Sequence, residues 1–287
     1  MRKEALEQTL KRLKEGVLEI LCSDKYMEYL QVMSRFHHYS VNNCILIAMQ
    51  RPDATCVAGY STWKSLGRHV KKGELGIRIL APCPVKTRKK TAGEDRKKHD
   101  EKISDDSETV IMYFKAATVF DYSQTEGNPL PSFGPDELTR ECEQYEVLMP
   151  AIGAISSVPI RFDDIPGNAK GYFSRSNHEI VIQSGMSSAQ TVKTALHELA
   201  HSILHAEKEK AKDRYQVETE AESVAFVICT HFGIDTSDYS FPYLAGWSSS
   251  AEGTEIMEAL DTIRRTAGSV ISDLEFEIQR LGEREAL

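Results

Sequence analysis

The 287-residue chain has few cysteines, and their spacing excludes two common uses of this residue. The six cysteines are scattered and include no Cys-x-x-Cys pair, which disfavours a cysteine-ligated zinc site and provides no disulfide framework. The chain also lacks an uncharged apolar run near the ~20 residues that a membrane helix needs. Its first residues, MRKEALEQTLKRLKEG, lack the apolar core of a signal peptide. We therefore expect a cytoplasmic protein with free thiols and no membrane partner.

The whole chain also lacks a net positive charge, although its two halves differ in the sign of their net charge. There are 35 Lys and Arg against 43 Asp and Glu, so the net charge is −8 with neutral histidines. Residues 1–130 hold 22 basic and 17 acidic side chains, a net +5, whereas residues 131–287 hold 13 and 26, a net −13. The total argues against a whole-protein polyphosphate binder, because a phosphate backbone needs a positive field. The asymmetry predicts two domains with different partners.

Apolar periodicity predicts an α+β fold with two domains and a long C-terminal helix. We place an α+β domain at 1–131, a mostly helical domain with a small sheet at 132–250, and the last helix at 251–287. The Gly- and Pro-containing stretch 126–132 is the predicted linker. Residues 86–108 are almost wholly polar and predict a mobile charged loop between two strands. Predicted helices cover 3–21, 24–36, 41–50, 136–153, 188–208, 215–232 and 254–281, and predicted strands cover 75–81, 110–119, 159–162 and 178–183.

The spacing of apolar residues in the last predicted helix has two interpretations. They recur at steps of four and three, as in a coiled coil, but only about three heptads are present. This favours packing on the preceding domain over dimerisation, and the oligomeric state stays open.

The most specific chemical motif is His197-Glu198-Leu199-Ala200-His201, an HExxH sequence within a predicted amphipathic helix. Residues four apart lie above one another on a helix, so His197 and His201 can both reach one zinc ion at about 2.0–2.1 Å. Glu198 follows directly and can act as the general base for a water molecule. Because so short a pattern also arises by chance between surface histidines, a third ligand is needed to support the site.

A third histidine does not supply that ligand. The glycine turn of the metzincin motif is absent after His201. His205 lies about 12 Å along a straight helix from His197, which is too far for the same coordination sphere. We therefore expect mainly a structural role for His205.

The next predicted helix offers acidic candidates. Glu218 and Glu222 share a face beside its buried side, whereas Glu220 is expected to point away. Glu218 follows His201 by 17 residues, which fits the two-histidine, one-glutamate plan of glutamate zincins. We choose Glu218 as the ligand, and Glu222 as the residue that orients a ligating histidine. Exchange of these roles remains an alternative, as does a solvated acidic face.

A strongly basic stretch lies between residues 64 and 90, where Glu74 is the one acidic residue. Aromatic Tyr39, Tyr60 and Trp63 lie close by in sequence. Cations for phosphates and flat rings for bases are what sequence-tolerant binding of single-stranded DNA needs, with stacking worth roughly 1–3 kcal/mol per base. A solvated charged face with a buried tryptophan explains the same composition. The basic residues are Lys64, Arg68, Lys71, Lys72, Arg78, Lys86, Arg88, Lys89 and Lys90.

The first half of the chain, over about residues 10–131, resembles the N-terminal domain of ArdC-type antirestriction proteins. The resemblance rests on FHHYSVNNCILIAMQRPDATCVAGYSTWKSLGRHVKKGELGIRILAP (36–82) and VFDYSQTEGNPLP (119–131). The second half is similar to the zincin-like metallopeptidase domain that follows in that family and is related to the ImmA/IrrE peptidases. That similarity rests on HELAHSILH (197–205) and EAESVAF (220–226).

The resemblance implies a function for each half. The first domain would bind single-stranded DNA with little sequence preference, and the second would hold zinc through His197, His201 and Glu218, with Glu198 catalytic. The family is associated with mobile elements, where it protects incoming DNA from host restriction. Two features depart from the family pattern, namely the long charged insert and Glu222, where related peptidases often carry Asp or Asn. The expected DNA contacts are Tyr39, Asn42, Asn43, Arg51, Trp63, Lys64, Arg68, Lys71, Lys72 and Arg78.

Two alternative functions fit the same motifs. One is a regulatory peptidase of the ImmA/IrrE kind that cleaves a repressor. In general, the protein substrate expected for the peptidase half is a repressor or a restriction-related protein. The other is a non-catalytic protein that coats single-stranded DNA and uses zinc only to stabilise its fold.

Overall fold

The structure, a computed structural model, describes residues 2–19, 23–87, 109–130, 141–206, 214–234, 236, 241 and 253–285. Its helices are α1 (Arg2–Glu19), α2 (Ser23–Arg35), α3 (Val41–Gln50), α4 (Tyr60–Ser65), α5 (Glu141–Ile155), α6 (Ser188–Leu204), α7 (Arg214–His231) and α8 (Gly253–Glu285). Its strands are β1 (Val57–Gly59), β2 (Arg68–Val70), β3 (Ile77–Thr87), β4 (Thr109–Asp121), β5 (Thr125–Gly127), β6 (Ile160–Asp163), β7 (Gly171–Ser174) and β8 (Glu179–Gln183). The predicted α+β class is confirmed, with a mixed N-terminal region, a helical C-terminal region with a small sheet, and a long last helix. Within these ranges, no helix has the length and apolar character needed to cross a membrane.

The first half is organised by an antiparallel sheet in the order β1-β4-β3. β3 and β4 form a long ladder that pairs Ile77 with Val119 at one end and Thr87 with Thr109 at the other. The strands therefore extend into the predicted charged loop and include its residues 86 and 87. The rest of that loop, 88–108, lies outside the described residues.

Part of the predicted linker also belongs to the fold. β5 pairs antiparallel with β2, and this ribbon joins Arg68 to Gly127. Gly127 has a φ of 132°, and a Cβ at this position would meet the backbone carbonyl of Gly67. Glycine is required there because the backbone conformation and the close approach both exclude a side chain. The linker prediction is therefore wrong for residues 126 and 127, since composition alone does not reveal the pairing with β2.

The second half places two helices against a small mixed sheet. The strand order is β6-β8-β7, with β6 parallel to β8 and β7 antiparallel to it. α6 packs on β7 and β8, α7 packs on α6, and α8 packs on α5 and α7. β7 lies at an edge of this sheet as far as the described strands go, directly beside α6.

The two halves share one hydrophobic core. α2 packs against α7, and the Tyr26 hydroxyl lies 2.7 Å from the Ser223 hydroxyl in a buried hydrogen bond. Burial raises the pKa of Tyr26 well above its ordinary value, and the bond to Ser223 opposes part of this shift. α7 therefore packs against the N-terminal region on one side and against α6 on another. The predicted domain boundaries at 131 and 250 stay predictions.

Candidate metal centre

Helix α6 carries three of the predicted site residues. The Ser187 side chain caps its N-terminus by accepting a hydrogen bond from the Gln190 N–H. A buried stripe that includes Val192, Leu196 and Leu199 fixes the rotation of the helix against the sheet and α7. This leaves the neighbouring face, with His197 and His201, directed towards α7.

The structure brings His197, His201 and Glu218 together. The Nε2 atoms of the two histidines are 3.0 Å apart. The Glu218 Oε2 atom lies 3.8 Å from His197 Nε2 and 3.6 Å from His201 Nε2. Metal–ligand distances of 2.0–2.1 Å in a tetrahedral site place donor atoms about 3.3 Å apart. The separations and the nitrogen and oxygen donors thus fit one zinc-sized cation. Among the described residues, this is the group of metal-ligating side chains with converging donor atoms.

Glu218 and Glu222 occupy different positions around these histidines. Glu218 faces both Nε2 atoms, whereas the Glu222 Oε2 atom lies 3.1 Å from Nδ1 of His197. The His201 side chain lowers the pKa of Glu218, with a further contribution from His197, so the carboxyl is held ionised. Of the two arrangements that the sequence left open, the geometry favours Glu218 as the ligand and Glu222 as the partner of His197.

Glu198 lies on the adjacent face, 7% exposed. Burial raises its pKa, an effect that His197, His201 and the backbone N–H of Phe173 partly oppose. A carboxylate with a raised pKa is a stronger base than one in water. Phe173 is in β7, so the edge strand helps to position this carboxylate.

Close packing between β7 and α6 depends on Gly171. A Cβ at Gly171 would come within 2.6 Å of Thr194 Cγ2 and 3.3 Å of Glu198 Cγ. The missing side chain therefore lets the strand approach the HExxH helix. A cavity of about 460 Å³ opens here, between Gly171 and the side chains of His197, Glu198 and Glu222.

Glu220 corrects the sequence-based interpretation, whereas buried His205 agrees with the structural role expected for it. Glu220 does not point away, because its side chain is 1% exposed and its Oε2 atom lies 3.1 Å from His205 Nε2. His205 is itself 4% exposed, and its Nδ1 atom lies 3.1 Å from His201 Nδ1. α7 is buried on several sides, by α6, α2 and α8, so a position away from one apolar stripe is still interior. The sequence pattern of α7 alone does not reveal these additional contacts.

Three of the expected DNA contacts are in the protein interior. Trp63 is 0% exposed and donates its indole N–H to the Phe120 carbonyl at 2.8 Å. The Asn43 amide donates to the Leu80 carbonyl at 3.0 Å, and its oxygen accepts from the Leu80 N–H at 2.9 Å. Both side chains connect helices to the main sheet. We therefore withdraw Trp63 and Asn43 as DNA contacts.

Arg68 is the third interior residue. It is 4% exposed, and it donates to the Thr125 hydroxyl at 2.9 Å and the Thr125 carbonyl at 3.0 Å. It also donates to the Gly127 and Asn128 carbonyls, and its guanidinium lies 4.0 Å from the centre of the Tyr122 ring. Because these donors are bonded to residues of β5 and to the adjacent Asn128, Arg68 has a structural role here and is withdrawn as a DNA contact.

The other expected DNA contacts reach the surface to different degrees. Tyr39, Asn42 and Arg51 are half-buried; Tyr39 donates to the Val57 carbonyl at 3.2 Å, and Arg51 lies 3.8 Å from Glu74. Four cations are exposed: Lys64, Lys71, Lys72 and Arg78.

Exposed aromatic residues replace Trp63 as candidate stacking surfaces. Tyr60 is 57% exposed, and Tyr113 and Phe114 on β4 are 55% and 57% exposed. Sequence reasoning missed the two residues on β4, since alternation there indicates only a strand. Adjacent aromatic residues point to opposite faces of a strand, and this was the available signal that one of them is outside the core.

The fold and the site define a protein in which an α+β domain precedes a region with an HExxH metal-site candidate. Residues 1–120 match the family model of the N-terminal domain of anti-restriction factor ArdC, and residues 155–232 match that of the IrrE N-terminal-like domain, a peptidase family. The chain therefore carries an ArdC N-terminal domain followed by an IrrE-like domain, and the resemblance drawn from the motifs is confirmed.

Individual proteins with similar sequences or structures were also found. The Bacillus anthracis protein pXO2-81, described as uncharacterized, is 28% identical over 318 residues, which cover 97% of this chain and 53% of that protein. The chain thus spans about half the length of this relative. The metal-free crystal structure of antirestriction protein ArdC from the R388 plasmid has a TM-score of 0.47 and 20% identity, covering 86% of this chain and 85% of that one. The Mn(II)-bound structure gives 0.44 and 19%, covering 85% and 84%.

Proposed function

We propose that the IrrE-like region is a zinc-dependent peptidase. The observation that carries this proposal is the convergence of His197, His201 and Glu218 beside the buried Glu198. A zinc ion held there would polarise a peptide carbonyl and lower the pKa of a water molecule to about 7. Glu198 would take a proton from the attacking water and deliver it to the leaving amine. The edge strand β7 is placed to pair with an extended peptide, whose side chains could enter the cavity.

Metal content tests this site directly. The chain as purified should hold about one zinc per molecule by elemental analysis, and His201→Ala should lose it because two protein ligands cannot complete the site. The matched control is His231→Ala on α7, which removes another histidine paired with a glutamate, Glu275 at 2.9 Å. Zinc retained by His201→Ala would contradict the proposed ligand set. A different metal in the wild-type chain, such as manganese, would correct the cofactor but not the site.

We further propose that the first half binds single-stranded DNA and thereby protects mobile-element DNA from restriction. The support is a set of exposed cations, Lys64, Lys71, Lys72 and Arg78, which follow exposed Tyr60 closely in the sequence. Cations would contact phosphates, and the tyrosine ring would stack on a base. The peptidase substrate would then be a restriction-related protein; a repressor is the alternative, and the two are distinguished by which protein is cleaved.

Salt dependence tests the DNA surface. The affinity for oligo-dT should fall steeply with salt, and Lys71→Ala/Lys72→Ala should reduce the logarithmic slope by about 1.4, since each single-strand phosphate contact contributes about 0.7. Fluorescence anisotropy at four or more salt concentrations measures this slope. Arg265→Ala on α8 is a control that removes an exposed cation from the other half. A flat salt response in the wild-type chain would rule out this surface.

A further inference from the structure

We propose that His205 and Glu220 form a buried relay that positions His201 for metal binding. This inference rests on the proposed metal site and adds two positioning residues that contact no metal themselves. Their contacts form a chain: His201 Nδ1 is 3.1 Å from His205 Nδ1, and His205 Nε2 is 3.1 Å from Glu220 Oε2. Gln216 Nε2 donates to the other oxygen of Glu220 at 2.7 Å.

Hydrogen-bond chemistry determines which nitrogen of His201 and of His205 carries a hydrogen in this series of contacts. If Nε2 of His201 gives its lone pair to a metal, its Nδ1 carries the hydrogen, and that hydrogen needs an acceptor. Nδ1 of His205 is the atom within reach, so it must be unprotonated, and the hydrogen of His205 must be on Nε2. That hydrogen then points to Glu220, whose carboxylate is an acceptor. With the hydrogens placed in this way, each donor nitrogen of His201 and His205 faces an acceptor.

The reverse order is incompatible with metal binding. If His205 donated from Nδ1, His201 would accept at Nδ1, and the hydrogen of His201 would move to Nε2. Nε2 would then have no lone pair for a metal. The relay therefore selects the tautomer of His201 that can bind a cation, and it holds the ring in the orientation that faces Glu218.

The burial of His205 and Glu220 explains why their contacts should have a measurable effect on metal affinity. The His205 and Glu220 side chains are 4% and 1% exposed, so water does not readily replace either partner. His205 is also fixed through its backbone, because its N–H donates to the His201 carbonyl at 2.9 Å and its carbonyl accepts from Arg175 Nε at 2.7 Å. A fixed partner on a ligating histidine typically changes metal affinity by 10–100-fold. The Nδ1 atom of His197 lies beside a different residue, Glu222, so the two proposed histidine ligands do not share one neighbouring carboxylate at Nδ1.

The test is the zinc affinity of the full chain, measured by competition with a chromophoric chelator. His205→Phe keeps a ring of similar size but removes the acceptor for His201, and we expect it to weaken zinc binding by about 10–100-fold. Glu220→Gln keeps the volume and replaces the anionic acceptor with a neutral one, so we expect a smaller loss. In the double variant, Glu220→Gln should add almost nothing to His205→Phe, because both changes act through the same bond to His201. The visible spectrum of bound Co²⁺ should change in His205→Phe, since it reports the geometry of the ligands.

The matched control is His231→Phe. His231 is the last residue of α7 and lies 2.9 Å from a glutamate, Glu275. It is about 20 Å along α7 from Glu218, too far to contact the metal site. It should keep wild-type zinc affinity and the wild-type Co²⁺ spectrum. Unchanged affinity in His205→Phe, additive losses in the double variant, or an equal loss in His231→Phe would each overturn the relay. If His205→Phe fails to fold, wild-type affinity in Glu220→Gln overturns it alone. If the wild-type chain binds no metal, the metal site itself fails, and the relay with it.

Discussion

Replacing Glu198 with glutamine should reduce peptide cleavage by about 10²–10⁴-fold and leave metal in place. Glutamine has nearly the same shape but cannot accept a proton from water, so the general base is lost. Proton transfer by a positioned side chain typically contributes 10²–10⁴-fold to a rate, and we expect a loss of about that size. The measurement is cleavage of a mixed peptide library followed by mass spectrometry, with zinc content determined on the same preparation.

The control for this variant is Glu222→Gln, which changes the neighbouring carboxylate that lies against His197. It should weaken metal binding and regain activity when zinc is added in excess, whereas Glu198→Gln should keep its reduced activity at every zinc concentration. Zinc loss in Glu198→Gln would assign that residue to metal binding or to the fold. Undiminished cleavage would remove it from the reaction.

Replacing Trp63 with alanine should destabilise the chain by about 3–5 kcal/mol, the usual cost of truncating a large buried aromatic side chain. Trp63 is fully buried, and its indole N–H bonds to the Phe120 carbonyl of β4. The change leaves a cavity between α4 and the sheet and removes the hydrogen bond to the Phe120 carbonyl. Urea unfolding followed by circular dichroism measures the loss of unfolding free energy.

The neighbouring Lys64→Ala is the matched control, since its side chain is exposed. It should change the unfolding free energy by no more than about 0.5 kcal/mol, as surface substitutions usually do, while weakening oligo-dT binding. The opposite pattern, a Trp63→Ala variant with wild-type stability and lost DNA binding, would return Trp63 to the proposed DNA contacts.

The HExxH motif was readable from sequence because its geometry is local. Four residues are about one helical turn, so spacing alone places His197 above His201. The choice of Glu218 over Glu222 required the structure. The two residues share one face of α7, and their roles depend on how α6 and α7 pack. The sequence predicted the correct face of α7, and the packing of α6 on α7 favours Glu218 over Glu222 as the candidate ligand.

The residues that sequence misjudged depend on contacts between distant segments. Arg68 resembles the exposed lysines around it in composition, but its partner Thr125 lies 57 residues away and becomes adjacent only when β2 and β5 pair. Glu220 resembles a surface glutamate until α7 is enclosed by three helices. In both cases a charged side chain is buried and hydrogen-bonded to its partners. Those partners cannot be predicted from the pattern of a single sequence.

The packing of α2 on α7 has a thermodynamic consequence. A cation that binds only the folded chain adds its binding free energy to folding, about 2.7 kcal/mol at a concentration 100 times its dissociation constant. Because the Tyr26–Ser223 bond and the common core connect α7 to the N-terminal region, that free energy would not be confined to the half that contains the candidate metal site. On the proposed function, zinc binding beside α7 would therefore also stabilise the proposed DNA-binding surface of the first half.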